Sequence, residues 1–130
     1  MGTRSITHIK NEDGKTLVTF YQQCDGYPAG VGAQYKSFLA EMKLTSGVEN
    51  INEFKDMGCL AASIIAKFKH GAGYLYIEPV GTANSNVPYT YYIYPKDYKI
   101  FLKVENGDST VLYDGDIKDF NPDAVENKDV

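Results

Sequence analysis

Residues 21–32, YQQCDGYPAGVG, concentrate the residue types most able to hold a ligand in this 130-residue chain. Asp25-Gly26 is a turn pair, Pro28 presets the chain direction, and Gly30 and Gly32 leave the backbone bare just before an apolar-periodic stretch. Exposed N–H groups at such a helix start suit an anion or a partner. Arg4 is the single arginine beside twelve lysines, out of 13 basic residues. A lone guanidinium points to a planar, bidentate partner such as a carboxylate or phosphate. Tyr21 and Tyr27 offer rings to cover the apolar part of a ligand, and Gln23 offers an amide. Plainer roles stand beside these: an ion pair at a sheet edge for Arg4, and a tight reversal capped by Asp25 for the loop.

No complete catalytic constellation accompanies the loop. His8 falls in a strand-like run and His70 at the end of a helical one, neither in a nucleophile or metal motif. Cys24 precedes Asp25, whose charge weakens a thiolate, and Cys59 lies in a small-residue helical segment that reads as buried. The chain contains no HExxH and no CxxC, so neither metal nor cofactor is expected. The loop lacks the Gly-Lys-Ser/Thr ending of a Walker motif and the third spaced glycine of a dinucleotide fingerprint. An Asp25–Glu41 carboxylate pair is conceivable, but its spacing does not single it out.

The elements that position these residues read from pattern. Residues 4–10 and 16–23 are rich in β-branched and aromatic types around the turn Asn11-Glu12-Asp13-Gly14, a hairpin that sets Arg4 beside Gln22 and Gln23. In residues 33–44, Tyr35, Phe38, Leu39 and Met42 share a helical face. Met57, Leu60, Ala61, Ile64, Ile65 and Phe68 form a second helical stripe, closed by Lys67, Lys69, His70 and Gly71. Residues 74–79, 88–94, 98–104 and 110–113 read as four strands. The third alternates Tyr98, Ile100, Leu102 and Val104 with Lys99, Phe101 and Lys103. The order ββααββββ predicts an α+β fold, an antiparallel sheet of about six strands with two helices on one face. Residues 1–120 form one expected domain, and the polar tail 121–130 is expected to be loose.

Composition narrows the partners. The net charge of −4 and pI near 5.1 argue against a duplex nucleic-acid binder. No apolar run approaches the ~20 residues of a spanning helix, and no signal peptide or myristoylation start is read, since Ile6 stands where Ser or Thr is required. Two cysteines fit reduced thiols in a cytoplasmic setting. Tyrosine occurs 11 times and tryptophan never. The tyrosines of residues 89–94 fall on both strand faces, which implies that both are covered in part, by an aromatic ligand or by a second copy. A homo-oligomer through these strands or through the small residues Gly58–Ala62 is a further expectation.

The blocks MGTRS, YQQCDGYPAGVG, MGCLAASIIAKFK, GAGYLYIEP, YTYYIYP and LYDG run through most of residues 1–115. In these the chain resembles a family of small uncharacterised proteins of bacteriophages, prophages and some bacteria. That family often has Arg or His and then an aromatic where Gln23 and Cys24 stand here. The resemblance implies a context, the host cytoplasm, rather than a reaction. It fits a non-catalytic binding protein that sequesters a small anionic, nucleotide-like host-defence signal through Arg4, Tyr21, Gln23, Asp25, Gly26, Tyr27, Gly30 and Gly32. An interaction module that docks on and inhibits a host protein is the alternative. A small nucleotide hydrolase with Asp25 as base is the third reading.

Overall fold

The computed structural model describes residues 2–44, 53–54, 56–82 and 87–128. Strands β1 (Ser5–Lys10) and β2 (Thr16–Gln22) lead through a π-helical turn, Pro28–Gly32, into helix α1 (Ala33–Leu39). A short pair, β3 (Lys43–Leu44) and β4 (Glu53–Phe54), precedes helix α2 (Met57–Phe68). Strands β5 (Leu75–Glu78), β6 (Tyr89–Lys96), β7 (Lys99–Asn106) and β8 (Val111–Asp116) follow, then a 3₁₀ turn, Ile117–Asp119, and helix α3 (Pro122–Lys128).

The fold is α+β, as its element order predicts, but the sheet is mixed. Its strand order is β5-β2-β1-β6-β7-β8, and the β1–β6 pair is parallel while the other four pairs are antiparallel. Because β5 is antiparallel to β2, it runs the same way as β1 and β6. The chain must therefore cross from one edge of the hairpin to its other side between β5 and β6. Alternation within a strand carries no record of the direction in which its neighbour enters, so the purely antiparallel sheet expected from sequence is corrected here.

Two further expectations change. The tail from residue 121 onward, expected to be loose, carries α3, where Val125 is buried in the common core with Phe120. Asn121 supports the helix start by accepting from the Asp123 N–H. Tyr98, expected inside a strand, belongs with Asp97 to the β6–β7 turn. Both have left-handed φ, 52° and 61°, the geometry of a two-residue hairpin that twists with its strands. Residues 50–56 read from sequence as a separate helical turn or a loop; Glu53–Phe54 form β4 instead, and 50–52 and 55 lie outside the described residues.

One core joins the sheet and the helices. Ile9, Phe20, Tyr91, Ile93, Leu102 and Val104 point to the helix side and are buried. Met57, Leu60, Ala61 and Ile64 of α2 meet them along the stripe its periodicity predicts, with Asp56 capping the helix by accepting from the Cys59 N–H at 2.9 Å. The polar exception is the Tyr35 hydroxyl of α1. It donates to Gln22 Oε1 at 2.9 Å and lies 2.7 Å from Thr7 Oγ1, tying the helix to β1 and β2. Burial drives the Tyr35 phenol far above its usual value, and the Thr7 hydrogen bond offsets this in part.

Tyr35→Phe is expected to cost about 1–3 kcal/mol, because Gln22 and Thr7 are left with unmet polar atoms. Adding Thr7→Val to it should cost less than the sum of the two single losses, measured by urea unfolding. The raised phenol also sets a pH dependence. Its contribution is complete below the ordinary tyrosine value of about 10 and falls as pH climbs above that, because the unfolded chain loses the proton first. Melting temperature should therefore hold to about pH 9 and decline beyond, less steeply in Tyr35→Phe.

Candidate functional site

The loop after β2 folds back on the chain's first residues. Gly26 donates its N–H to the Thr3 carbonyl at 2.9 Å, and its own carbonyl accepts from the Tyr91 hydroxyl at 2.5 Å. A Cβ added at Gly26 would stand 2.6 Å from Ser5 Cβ and 2.9 Å from the carbonyl carbon of Arg4. The β1–β2 register, with Ser5 opposite Gln22, thus brings the backbone of Arg4 to the loop as the hairpin reading requires. The Arg4 side chain is exposed.

The glycines serve packing more than ligand cradling. Gly30 N–H goes to Tyr27 O and Val31 N–H to Asp25 O, so with Gly26 three loop donors are spent inside the chain. Gly30 has no room for a Cβ against the Asp25 carbonyl. Gly32 is buried, and a Cβ there would press on the Phe120 ring at 3.2 Å and on Tyr91 at 3.4 Å. Pro28 and Val31 are buried with it, so the turn reads as a plug set into the core. Its π-helical winding was not legible in the sequence.

Beside this plug a hollow of about 380 Å³ opens between the loop and the end of α2. Gln22, Cys24 and Asp25 form one wall, Gln34 of α1 another, and Lys67, His70 and Tyr74 the far side. Gln23 laces the two walls together. Its N–H donates to the Tyr74 carbonyl at 2.9 Å, and its Oε1 accepts from the Tyr74 N–H at 3.2 Å. Asp25 and Tyr74 are both left-handed, with φ of 60° and 66°, a conformation unfavourable for side chains other than glycine. Two such residues facing one hollow hold its rim in shape at a local conformational cost.

Of the residues expected to form the site, Asp25 lines the hollow, Gln23 braces it, and Gly26, Gly30 and Gly32 shape the chain behind it. Tyr27 is 36% exposed, at the loop surface. Tyr21 stands on the opposite face of the sheet, against Tyr76 with ring centroids 5.9 Å apart. Arg4 is not among the lining residues; the basic groups there are Lys67 and His70. These two carried a sequence signal, but as the basic end of a helix rather than as part of a site. Cys59, expected to be buried, is exposed, because it falls off the apolar stripe of α2. Gly58 and Ala62 are exposed beside it. Among the described residues no group of His, Cys, Asp and Glu could hold a metal ion, and no helix is long and apolar enough to cross a membrane.

Compared with protein-family models, curated proteins and solved structures, the chain matches none.

Gly26→Ala is expected to destabilise the fold by at least about 1–3 kcal/mol, since the new methyl meets backbone and the Ser5 stem rather than a flexible tip. Asp25→Gly should move the other way, stabilising by up to about 1 kcal/mol as the left-handed penalty is relieved. Paired denaturant curves check both. A neutral Gly26→Ala would show that the loop is not held against β1 as described.

Proposed function

We propose that the protein is a non-catalytic binder of a small anionic ligand of nucleotide-like size, held in the hollow beside Gln23. The observation that carries this reading is the pair of left-handed residues, Asp25 and Tyr74, braced across the hollow by both ends of Gln23. Unfavourable backbone of this kind clusters at preorganised ligand sites, where the surrounding structure holds it. The hollow's volume lies in the range of small-molecule sites.

Its basic groups suit an anion with a planar part, and the one lining carboxylate, Asp25, stands on the opposite wall from them. The Lys67 ammonium, on an exposed side chain and 5.8 Å from the Phe38 ring centroid, and the His70 imidazole stand at the same rim. Gln34 supplies an amide that both donates and accepts. The Tyr74 ring is 63% exposed and free to close over a base or another flat group. Sequestration of a nucleotide-like host-defence signal, the context implied by the resemblance to phage and prophage proteins, is the biological form of this reading.

A second reading rests on a different observation. β5 is an edge strand, and Tyr76, Ile77 and Val80 along it and just beyond are 42%, 62% and 59% exposed. Uncovered apolar residues on a sheet edge fit a protein that adds a strand there, as an inhibitor docking on a host protein would.

Melting the protein with cyclic and linear nucleotides at about millimolar concentration tests the first reading. A ligand present at a hundredfold its Kd raises stability by about 2.7 kcal/mol. Lys67→Ala and His70→Ala should each reduce the shift, while Arg4→Ala should leave most of it. Asp25→Gly should bind more weakly despite its greater stability, because the rim loses its fixed shape. The absence of any shift across the nucleotide set would reject the site, and capture of a host protein dependent on Ile77 would favour the edge-strand reading.

A further inference from the structure

The sheet face turned away from the core carries a regular aromatic and basic pattern. Three ring pairs cross it on a diagonal. Tyr76 of β5 meets Tyr21 of β2, with centroids 5.9 Å apart. His8 of β1 stacks on Tyr92 of β6 at 5.2 Å with planes 25° apart. Tyr94 of β6 lies 5.5 Å from Phe101 of β7. The strand register fixes the diagonal, because Ile6 pairs with Tyr21, His8 with Tyr92 and Tyr94 with Phe101. Each pair is thus displaced two residues along the strands from the last. With strands ~4.8 Å apart and ~3.4 Å per residue, the pairs stand roughly 12 and 8 Å apart.

Every pair has a lysine over it. Lys69 Nζ is 5.6 Å from the Tyr76 centroid, Lys10 and Lys103 are 5.2 and 5.1 Å from that of Tyr92, and Lys96 is 5.4 Å from that of Phe101. Four of the five cation–ring contacts among the described residues therefore fall on this one face. Near its centre the β1–β2 turn walls a cleft of about 340 Å³ whose lining includes Lys10, Asn11, Glu12, Tyr92, Lys103 and Asp114.

We propose that this face binds single-stranded nucleic acid, with bases on the ring pairs and phosphates on the lysines. Every base has a π-face, so a row of rings spaced along a path accepts successive bases without a sequence requirement. An ammonium held at a ring lies at the border between a stacked base and its phosphate; the flexible stems of Lys10 and Lys96 let them follow the phosphate as the base takes the ring face, while Lys69 is held on the Gly73 and Leu75 carbonyls and Lys103 on Glu105. The central cleft is wide enough for one base and offers the Asn11 amide and the Asp114 carboxylate at its edge. A duplex presents neither free base faces nor a match to a chain of net charge −4, so single strands are preferred.

Two of the acidic residues on the face, Glu105 and Asp114, are already engaged, while Glu12 lines the cleft and Glu78 and Asp116 share the face by register. Glu105 pairs with Lys103 at 3.2 Å and accepts from the Tyr92 hydroxyl at 3.3 Å, and Asp114 accepts from the Tyr94 hydroxyl. They limit the electrostatic share, so stacking carries most of the affinity and the salt dependence is shallow. A protein partner fits less well, because each ring pair that it would cover already has a cation to desolvate.

Fluorescence anisotropy with labelled oligo-U and oligo-dT of about 12 nucleotides, within the site sizes of such platforms, and with a duplex of equal length, tests this. Both single strands should bind, and the duplex at least tenfold more weakly. Tyr92→Ala should weaken binding by about 5- to 150-fold, the range of one lost base stack, whereas Tyr92→Phe should stay within about twofold. Lys96→Ala, at an exposed position, should reduce the salt slope by about 0.7. Lys67→Ala, in the hollow beside Gln23, should leave strand binding unchanged, which separates this face from the proposed anion site. The proposal is overturned if neither single strand binds, if the duplex binds equally, or if Tyr92→Ala and Lys96→Ala bind as the parent does. Concentration-dependent dimerisation abolished by Lys96→Ala, with no strand bound, would assign the face to a second copy of the chain instead.

Discussion

A single hydroxyl group positions the helical layer. Tyr35 reaches out of α1 into the core, and its oxygen meets both Thr7 on β1 and Gln22 on β2. A polar atom this deep is tolerable only when its partners are in place, so the contact permits little sliding of the helix over the sheet. Its ring packs edge-on against Tyr91 at 5.8 Å and Phe68 at 5.7 Å, which extends the constraint to β6 and α2. Tyr91 then fixes the loop by donating to the Gly26 carbonyl. The walls of the hollow therefore derive from one connected set of contacts, and the rim at Asp25 and Tyr74 can hold its unfavourable shape because the structure behind it does not yield.

Tyrosine is suited to both sides of this sheet, which accounts for its frequency in a chain without tryptophan. On the helix side Tyr35 and Tyr91 fill volume with their rings and place hydroxyls where a strand or loop needs a partner. On the far side the rings pair with one another, stacked at His8–Tyr92 and tilted at Tyr21–Tyr76 and Tyr94–Phe101, while the Tyr92 and Tyr94 hydroxyls reach Glu105 and Asp114. Burial and the neighbouring carboxylate of Asp114 both push the Tyr94 phenol above its usual value. The lysines cover these rings without closing them off, as long stems with charged ends do.

How much of this the sequence discloses depends on the range of the interaction. The α2 stripe and its Asp56 start are local, and the 3.6-residue period shows them directly. The alternation of Ile100, Leu102 and Val104 with Phe101 and Lys103 is local too and separates the two faces of β7 correctly. Tyr98 misleads because a tyrosine in a left-handed turn looks like the next residue of the alternation. Direction and register between distant strands are not local. Nothing in residues 5–10 and 89–96 states that they lie parallel, so neither the mixed sheet nor the stacking of His8 on Tyr92 was legible. The loop shows the same division. Its glycines mark close approach, which is correct, but whether a ligand or the chain itself makes that approach depends on Thr3, Tyr91 and Phe120, far away in sequence.

The two faces meet at the β2–β5 edge. In a strand adjacent residues point opposite ways, so Gln22 lines the hollow while Tyr21 joins the first ring pair on the far side. β5 repeats the arrangement, with Leu75 in the core and Tyr76 beside Tyr21. Within the sheet β5 is paired to β2 alone, and it begins one residue after Tyr74, where Gln23 braces the rim. Lys69 links the same points, donating to the Gly73 and Leu75 carbonyls while standing over the Tyr76 ring. The Gln23–Tyr74 contact and the Tyr76 ring are therefore separated by only the start of one short strand and bridged by one lysine. Rim and first ring pair therefore share one backbone bond, from the Gln23 N–H to the Tyr74 carbonyl, together with the side-chain bonds of Gln23 and Lys69.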